Sequence, residues 1–462
     1  MSKSIWTRRE FAASTLAGVA SLTLSGAAAA GKKSTDPTLR AGAAETVVSP
    51  PAEGTYLIGP GKSEGVSDDL YARAFVLDDG TKKLCLITTD LLGFDFAYND
   101  VLVAAVSKAT SIPKQNIAIN ASHTHNAPLT IPWGSWDKKK ATAWHKALPG
   151  KLAAIAKKSV NALVPARIRY SREPTQIGFN RRMPAAHGVT MAPNPNGAII
   201  PWTDTVTVDN LDGKHIAIFY TFAAHPVIVH GASPRITADY PGFAAQMLNK
   251  HSGGNGVMMF GQGCGGNING FPLRSGIEAA KAAGRDLAHA VGRAVRNGGT
   301  PIKGQSLAHL ATEFTLPLAD PPPASKCREL VASNQGDRKT RYQELLAIAE
   351  SGKQKSVRVP VRGFAVGSEL AFLMLPHEMF AEYQLYAEEV SPFKHTIVLA
   401  YTNGCEIYVG TAKDYKLGAK GGYEIAQHGA SILYHHRLPL RPEAENVLRQ
   451  GIRRSLKKLF PG

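Results

Sequence analysis

Two histidines separated by one residue, His123 and His125, stand at the end of an alternating apolar run in the segment NIAINASHTHNAPLT, residues 116–130. Residues i and i+2 of a strand point to the same face, so a strand here would direct both imidazoles into one space. The pair fits a polar strand end, in which each ring is hydrogen-bonded locally, or half of a metal site.

Three further apolar runs end in residue types that bind metals or carry catalysis. IFYTFAA leads to His225 and His230, AFLMLP leads to His377 and Glu378, and VLAYTN leads to Glu406 and Tyr408. Zinc binds histidine nitrogens and carboxylate oxygens, and catalytic zinc sites keep a position for water. The strand ends together therefore predict a zinc-like site. Each residue alone also fits a structural role, such as Glu378 facing the dipole in a first helical turn.

The run MMFGQGCGGNING contains Gly261, Gly263 and Gly266 in a G-x-G-x-x-G spacing. A dinucleotide fingerprint needs a helix that opens at this point, but a loop containing Pro272 follows. We therefore interpret the run as a loop whose glycines let the backbone approach a ligand. The sequence has no Gly-Lys-Ser/Thr after these glycines, which argues against a nucleotide P-loop at this position, and Ser122 beside His123 does not by itself form a catalytic triad.

The elements that must position these residues alternate between strands and helices without a regular βαβ rhythm. We predict strands over LYARAFVLDD, KKLCLITTDLLG, NIAINASH, HIAIFYTFAA, GVMMFGQG, ELAFLMLP and HTIVLAYTN. We predict helices over YNDVLVAAVSKAT, ATAWHKALPGKLAAIAKKSVNAL with a break at Pro149-Gly150, GIEAAKAAGRDLAHAVGRAVRN, the region 327–352 and the region 442–458. This order favours a mixed α/β (α+β) arrangement over a doubly wound sheet.

The first 30 residues have the order of a bacterial export signal. The pair Arg8-Arg9 in WTRREFAAST precedes a weakly apolar run that ends in small residues. We therefore expect residues 1–30 to be a twin-arginine signal that engages the twin-arginine export machinery, and the protein to be periplasmic or secreted. A flexible lead-in over 31–40 and a single domain over 41–462 would follow. No later run has about 18 uninterrupted apolar residues, so we expect no membrane span in the mature protein.

The chain has 462 residues and a formal net charge of +17, with basic residues dispersed along it. Nucleic-acid binding would need a basic stripe within a recognisable module, and the sequence offers none. Attraction to anionic surfaces or substrates remains open. The four cysteines, Cys85, Cys264, Cys327 and Cys405, form no C-x-x-C pair, and the sequence does not choose among their three possible pairings.

Seven segments in order resemble the catalytic N-terminal domain of the neutral/alkaline non-lysosomal ceramidase family, as a divergent member. They are AGAAETVVSPP, GVSDDLYARAFVLDD with LITTDLLG, SHTHNAP, FNRRMP, FAAHPVIV with ADYPG, LPHEMF and IYVGTAKDYKLGAKGGYE. The fold implied by the resemblance is two packed β-sheets flanked by helices. The family's C-terminal immunoglobulin-like domain is not expected here.

The resemblance implies a ligand set and a substrate site, position by position. Zinc would be held by His123, His225, Glu378 and Tyr408, and the substrate site would be lined by His125, Arg181 and Tyr423. Where the family carries a functionally important serine in Gly-Asp-Val-Ser-Pro, this chain has Asn269 within GNING. An asparagine donates a hydrogen bond but is no nucleophile, so we expect metal-bound water to attack.

The predicted function is an exported zinc-dependent hydrolase of an amide (N-acyl) or ester bond. His125 or Glu424 would move protons, and Arg181, Tyr423 or N–H groups of the glycine loop would stabilise the oxyanion. Two alternatives remain open. One is a zinc-dependent enzyme that acts on a carbohydrate or another polar extracytoplasmic substrate. The other is a non-catalytic binding protein on the same scaffold. The partner is accordingly a small-molecule, lipid-like or glycan substrate.

Overall fold

The structure, a computed structural model, describes residues 39–58, 61–131, 142–353 and 355–461. The predicted export signal lies outside the described residues, as does the predicted lead-in up to residue 38. The first strand begins at Arg40, the last residue of that lead-in. Across the described segments, we find no helix that is both long and apolar enough to cross a bilayer.

The strands of the described residues are numbered in chain order. Those of the first half are β1 Arg40–Val47, β2 Glu53–Leu57, β3 Gly61–Glu64, β4 Tyr71–Asp78, β5 Lys83–Thr89, β6 Ile117–Ala121, β7 Val164–Pro174, β8 Gly178–Asn180, β9 Arg182–Ala185, β10 Gly188–Met191, β11 Trp202–Asn210 and β12 His215–Phe222. Those of the second half are β13 Val257–Gln262, β14 Ile268–Gly270, β15 Thr300–Ile302, β16 Leu307–Pro317, β17 Ser356–Val366, β18 Leu370–Met374, β19 Glu378–Met379, β20 His395–Leu399 and β21 Tyr408–Val409.

The helices are numbered in the same way. They are α1 Phe96–Thr110, α2 Thr142–Asn161, α3 Asp239–His251, α4 Ile277–Arg296, α5 Ala324–Ala332, α6 Gly336–Glu350, α7 Ala381–Val390, α8 Ala412–Tyr415, α9 Gly422–Ile425 and α10 Ala444–Leu459. The strands and helices predicted around the site are present. Helices α5 and α6 form a helical hairpin in the region 327–352, where helical structure was predicted.

Two β-sheets form the centre of the fold. The larger has the order β13-β12-β11-β7-β1-β4-β5-β6, with β15 paired to β7, and the smaller has the order β16-β17-β18-β20. The sheets pack face to face through a shared apolar cluster, in which Phe75, Leu77 and Phe219 of the larger sheet join Phe364 and Phe372 of the smaller. The predicted mixed fold of two packed sheets flanked by helices is confirmed.

Helices cover the outer faces of both sheets. Helices α1 and α2 pack on the face of β4 that presents Ala72, Ala74 and Val76, while Phe75 and Leu77 of the same strand face the smaller sheet. This alternation explains the continuous apolar run over residues 74–77 of β4, because both faces of the strand are buried. Helices α3 and α4 cover β12 and β13, and α7 and α10 pack on the smaller sheet.

The predicted break at Pro149-Gly150 is wrong, because α2 continues from Thr142 to Asn161 with Pro149 inside it. A proline inside a helix leaves the carbonyl four residues earlier without its usual donor. Here that carbonyl belongs to His145, and the Tyr98 hydroxyl of α1 donates to it at 2.5 Å. A tertiary contact therefore replaces the missing helical bond.

The edge strands β6 and β13 of the larger sheet lie at opposite ends of its strand order, yet they meet at one residue. Asn120 Oδ1 accepts from the Gln262 N–H at 2.9 Å, and Asn120 Nδ2 donates to the Ala400 carbonyl at 2.6 Å. Asn120 is fully buried. One amide side chain therefore connects the ends of β6, β13 and β20, which lead into the candidate site.

Candidate metal centre and cavity

His123 follows β6 and has a left-handed backbone with φ of 68°. A positive φ in a residue other than glycine is strained and concentrates at functional sites. Strands β5 and β6 are parallel neighbours, so the segment that follows β5, which includes Leu92, runs beside His123. His123 Nδ1 lies 2.5 Å from the Leu92 carbonyl oxygen, which orients Nε2 away from the sheet and towards Glu378.

His225 follows β12 at the other side of the larger sheet. Its Nδ1 donates to the Gly265 carbonyl at 2.7 Å, and its Nε2 lies 2.8 Å from Glu378 Oε2. His123 Nε2 lies 3.3 Å from the same carboxylate oxygen without a hydrogen bond to it. The two histidines therefore converge on one carboxylate oxygen from opposite ends of the sheet.

Glu378 and Tyr408 are brought together by backbone pairing. Strands β19 and β21 are parallel, and Glu378 is directly opposite Tyr408 in their register. The Tyr408 hydroxyl lies 3.3 Å from His225 Nε2, and all four residues are buried. The structure therefore collects the four predicted ligands, His123, His225, Glu378 and Tyr408, although they come from distant parts of the chain.

The positions of the protons in this cluster are compatible with a bound cation. A carbonyl oxygen only accepts, so Nδ1 of His123 and of His225 carries the proton. A ring in this tautomer, when neutral, presents an Nε2 lone pair to Glu378. Burial, aided by Arg181, lowers the pKa of His225 to about 4.

Three acceptor groups thus face one another, an arrangement that a divalent cation stabilises. An ion held tetrahedrally at about 2.1 Å from each ligand atom separates those atoms by about 3.4 Å. The contacts of 2.8, 3.3 and 3.3 Å between the ligand atoms are close to that spacing. Nδ1–H bonds to carbonyls are the usual outer support of zinc-binding histidines. The donor set therefore fits zinc.

A second group, Glu406 with His435 and His436, has similar residue types near the protein surface. Glu406 Oε2 lies 3.0 Å from His436 Nε2 and 3.4 Å from His435 Nε2, and Glu406 Oε1 accepts from the Phe96 N–H. Here each Nε2 can donate to the carboxylate, because no carbonyl among the described residues is found against Nδ1 of either ring. We therefore interpret this group as a hydrogen-bonded contact between loops.

His125 lies beside the centre and faces the cavity. A nitrogen of His125 lies within 4.8 Å of ligand atoms of His123 and His225, so the ring is close enough to join them. Neither nitrogen of the ring has a hydrogen-bond partner among the described residues. Burial, and then the positive charge of neighbouring histidines, lowers the pKa of His125 well below its usual range. The ring is therefore neutral and can accept or donate a proton.

Arg181 connects the centre to the other predicted site residues. Its guanidinium donates to Tyr408 Oη at 3.1 Å, to Asn269 Oδ1 at 2.9 Å and to Glu424 Oε1 at 2.7 Å. Asn269 reaches this position because β14 pairs with β8, which leads directly into Arg181. Tyr423 stands with its ring 5.9 Å from that of Tyr408 and is 40% exposed.

Glu424 does not suit the predicted role of moving protons. Its Oε1 accepts from Arg181, and its Oε2 accepts from Arg182 Nη1 at 2.5 Å. Both oxygens of this buried carboxylate are therefore engaged by guanidinium groups and do not face the cavity. Glu424 positions Arg181, and His125 remains as the proton carrier of the two candidates.

Gly261, Gly263 and Gly266 support the ligands and do not line the cavity, so the role predicted for these glycines is wrong, although Asn269 at the end of the same run does line it. The Gly266 N–H donates to the Met379 carbonyl at 2.8 Å, and a Cβ at Gly266 would lie 2.5 Å from the Glu378 carbonyl oxygen. The N–H groups of Gly263 and Gly265 are also bonded to carbonyls. The glycines allow close approach to β19, and these N–H groups are not available to an oxyanion.

Two further tyrosines lie beside Glu378 at the centre and were not predicted from the sequence. The Tyr434 hydroxyl donates to Glu378 Oε1, and the Tyr401 hydroxyl lies 3.5 Å from Glu378 Oε2. Tyr401 follows the apolar strand HTIVLA, so its place at a strand end was a usable signal. Tyr434 lies in a loop of 3₁₀ and turn structure, where no periodicity marks it.

A cavity of about 490 Å³ opens against this centre. Its wall includes the predicted residues His125, Arg181, Asn269, Tyr408 and Tyr423. The remainder is mixed, with apolar side chains such as Leu129, Val227 and Leu433 and further basic groups. This volume suits a small-molecule substrate or one end of a larger one.

All four cysteines are buried and free. None of the three pairings left open by the sequence is therefore formed.

Comparison with solved structures identifies the same architecture in ceramidases. A crystal structure of neutral ceramidase from Pseudomonas aeruginosa superposes with a TM-score of 0.70, at 16% sequence identity over 92% of this chain and 76% of that chain. A ceramidase complexed with C2 gives a TM-score of 0.71 at the same identity and coverage. A scan against protein-family models and a search of curated proteins give no match. At this identity the likeness concerns the fold, and the chain has the fold of the neutral ceramidases.

Proposed function

We propose that this protein is a zinc-dependent hydrolase that cleaves the amide bond of an N-acylated substrate. The observation that carries the proposal is the convergence of His123, His225, Glu378 and Tyr408 at the wall of a cavity. The ceramidase fold supports amide hydrolysis as the reaction class by analogy.

Zinc held by these four residues would act as a Lewis acid and lower the pKa of a water molecule, which makes a nucleophile available near neutral pH. The residues of the chain supply the rest. His125, neutral and without a hydrogen-bond partner, accepts a proton from the attacking water and returns it to the leaving amine. The C–N bond breaks, the acyl carbon gains the water oxygen, and the amine gains a proton.

Arg181 and Asn269 would position the acyl carbonyl and stabilise the negative charge that develops on its oxygen. Arg181 is held from three sides, by Glu424, Asn269 and Tyr408, so its orientation is set before the substrate arrives. Such preorganised donors cost no reorganisation in the transition state. Tyr423, at the open side of the cavity, would cover the bound substrate.

A metal-replacement experiment tests the proposal. The purified protein would be assayed for zinc content and for hydrolysis of a panel of N-acyl amines and esters, before and after chelation. We expect activity to disappear with zinc and to return when zinc is restored. The His123→Ala variant should lack both, while His436→Ala, which alters the second histidine group, should keep both. Activity that survives complete removal of metal would contradict the proposal, and a protein that binds zinc without any turnover would indicate a binding function.

We also propose export by the twin-arginine route, on the pair Arg8-Arg9 and the apolar run that follows it. Replacing both arginines with lysine should leave the precursor in the cytoplasm of a bacterial host, as fractionation and immunoblotting would show. Equal amounts of processed protein outside the cytoplasm in both forms would contradict this route.

A further inference from the structure

The wall of the cavity carries more positive charge than the centre requires. Three arginines, Arg181, Arg274 and Arg341, line it, and its lining within the described chain includes no aspartate or glutamate. A concave surface of one charge sign concentrates ligands of the opposite sign. The question is whether these arginines are neutralised by other parts of the protein.

Arg181 is neutralised, because it is paired with the Glu424 carboxylate at 2.7 Å. The guanidinium groups of Arg274 and Arg341 differ, since neither makes a hydrogen bond or ion pair with any residue that the structure describes. Arg341 Nε is buried and has no partner. A buried donor without a partner is costly in free energy, which makes it a strong site for an acceptor supplied by a ligand.

The neighbouring groups balance the arginines only in part. Burial, and then the positive charge of Arg437, lowers the pKa of the Arg341 guanidinium. The carboxylates of Asp337 and Glu344 act to raise this pKa but are outweighed. His230 lies between the arginines and the metal centre, with its ring 4.9 Å from that of His125. Burial and the positive charge of Arg274 lower the pKa of His230 to about 4, so this ring is neutral.

We infer that the substrate of this site carries an oxyanion group, a carboxylate, sulfate or phosphate, which Arg274 and Arg341 bind while the scissile bond lies at Arg181. The inference rests on the proposed function for the place of the scissile bond. Guanidinium groups bind such oxyanions through charge-assisted, often bidentate, hydrogen bonds. The apolar part of the wall, with Leu129, Val227 and Leu273, would receive a hydrocarbon portion of the same molecule.

A binding experiment tests this inference without turnover. The probes are N-hexanoylglycine and its carboxamide, which have the same shape and differ by one negative charge, together with inorganic sulfate and phosphate. Calorimetry at low ionic strength would compare the wild type with an Arg274→Gln/Arg341→Gln double variant. The control is Arg285→Gln, which removes one positive charge from an exposed site of α4 outside the cavity.

We expect the wild type to bind the acid about tenfold or more tightly than the carboxamide, and the double variant to lose this preference. Arg285→Gln should retain it. If only sulfate or phosphate binds, and the double variant loses that binding, the inference holds with a sulfate or phosphate ester as the substrate. Equal binding of acid and carboxamide with no inorganic anion bound, or anion binding unchanged in the double variant, would overturn it.

The result is separable from that of the metal experiment. Zinc-dependent hydrolysis of neutral amides, together with failure to bind any of the three anions, would reject the anionic substrate and leave the hydrolase proposal standing. Anion binding that depends on Arg274 and Arg341 in a protein without hydrolytic activity would support the anionic ligand and reject the hydrolase proposal. The thermal unfolding midpoint of each variant would show that the variant proteins are folded.

Discussion

His225 Nε2 lies 2.8 Å from Glu378 Oε2, while Nδ1 of the same ring donates to the Gly265 carbonyl at 2.7 Å. A neutral histidine with its proton on Nδ1 cannot donate from Nε2, so a lone pair faces a carboxylate. Only an added proton or a cation makes this contact favourable, and the pKa of His225, lowered to about 4, disfavours the proton near neutral pH. The contact therefore has the character of a metal-binding pair.

The first prediction concerns that pair. Glu378→Gln retains the shape of the side chain and removes the charge shared by His123 and His225. We expect zinc affinity to fall by at least about 100-fold, beyond the range for loss of an outer-shell partner. Competition with a chromophoric chelator would measure it. Unchanged zinc affinity in this variant would show that the ion is bound elsewhere.

The second prediction concerns Glu424, which contacts Arg181 and Arg182 and is buried with them. Glu424→Gln leaves the buried Arg181 guanidinium without a carboxylate and leaves Arg182 with Asp414 alone, so we expect a loss of about 3 kcal/mol or more in the free energy of unfolding. Urea unfolding would measure the loss. Glu350→Gln, which breaks an exposed pair with Arg328, should change stability by no more than about 0.5 kcal/mol.

A positioning role for Glu424 predicts more than instability. At a temperature where Glu424→Gln is folded, kcat should fall while KM changes little, because Arg181 would lose its orientation towards the transition state. If kcat per folded molecule equals that of the wild type, Glu424 has a structural role alone.

The third prediction concerns Asn269, whose Oδ1 accepts from Arg181 at 2.9 Å. Asn269→Ser shortens the side chain and removes the acceptor of the hydrogen bond from Arg181. A hydrogen bond to a charged group contributes about 1.5–3 kcal/mol. We expect kcat/KM to fall by about tenfold or more, with partial recovery in Asn269→Asp, which retains an acceptor of the same reach. An increase in kcat/KM for Asn269→Ser would indicate that a hydroxyl serves this site better.

The fourth prediction concerns His230 and pH. The folded protein holds the pKa of this ring at about 4, below the ordinary value of 6.5, so the unfolded chain binds more protons between these values. Stability should therefore fall as the pH is lowered from 6.5 to 4. Unfolding followed by fluorescence across this range should show a shallower fall for His230→Gln than for the wild type. His187→Gln, at an exposed position, should follow the wild type.

Much of the fold and part of the site could be predicted from the sequence, because they depend on local periodicity. Strand β4 alternates small and large apolar side chains between two buried faces, and α4 repeats apolar residues every three or four positions. Residues that follow such strands, including His123 and His225, were candidates because loops at strand ends commonly carry functional groups. The break expected at Pro149 failed because Tyr98, distant in sequence, supplies the compensating hydrogen bond.

The role of the glycine loop could not be predicted, since its spacing is compatible with several backbone contacts. Only the packing of Gly266 against β19 shows that the space left by a missing side chain is filled by protein. The contact of Tyr434 with Glu378 could not be predicted either, because a single tyrosine in an irregular loop belongs to no periodic pattern.

The residue types that end the buried strands are readable from the sequence, and they indicate that a histidine and carboxylate centre can form. Which of these residues meet depends on the packing of the whole chain. The opposite edges of the larger sheet approach each other at Asn120, and the pairing of β19 with β21 places Glu378 opposite Tyr408. The packing also places Arg274 and Arg341 in one cavity, whose described lining contains no carboxylate. The physical reason is that periodicity reports which face of an element is buried, whereas the partners across that face depend on how the whole chain packs.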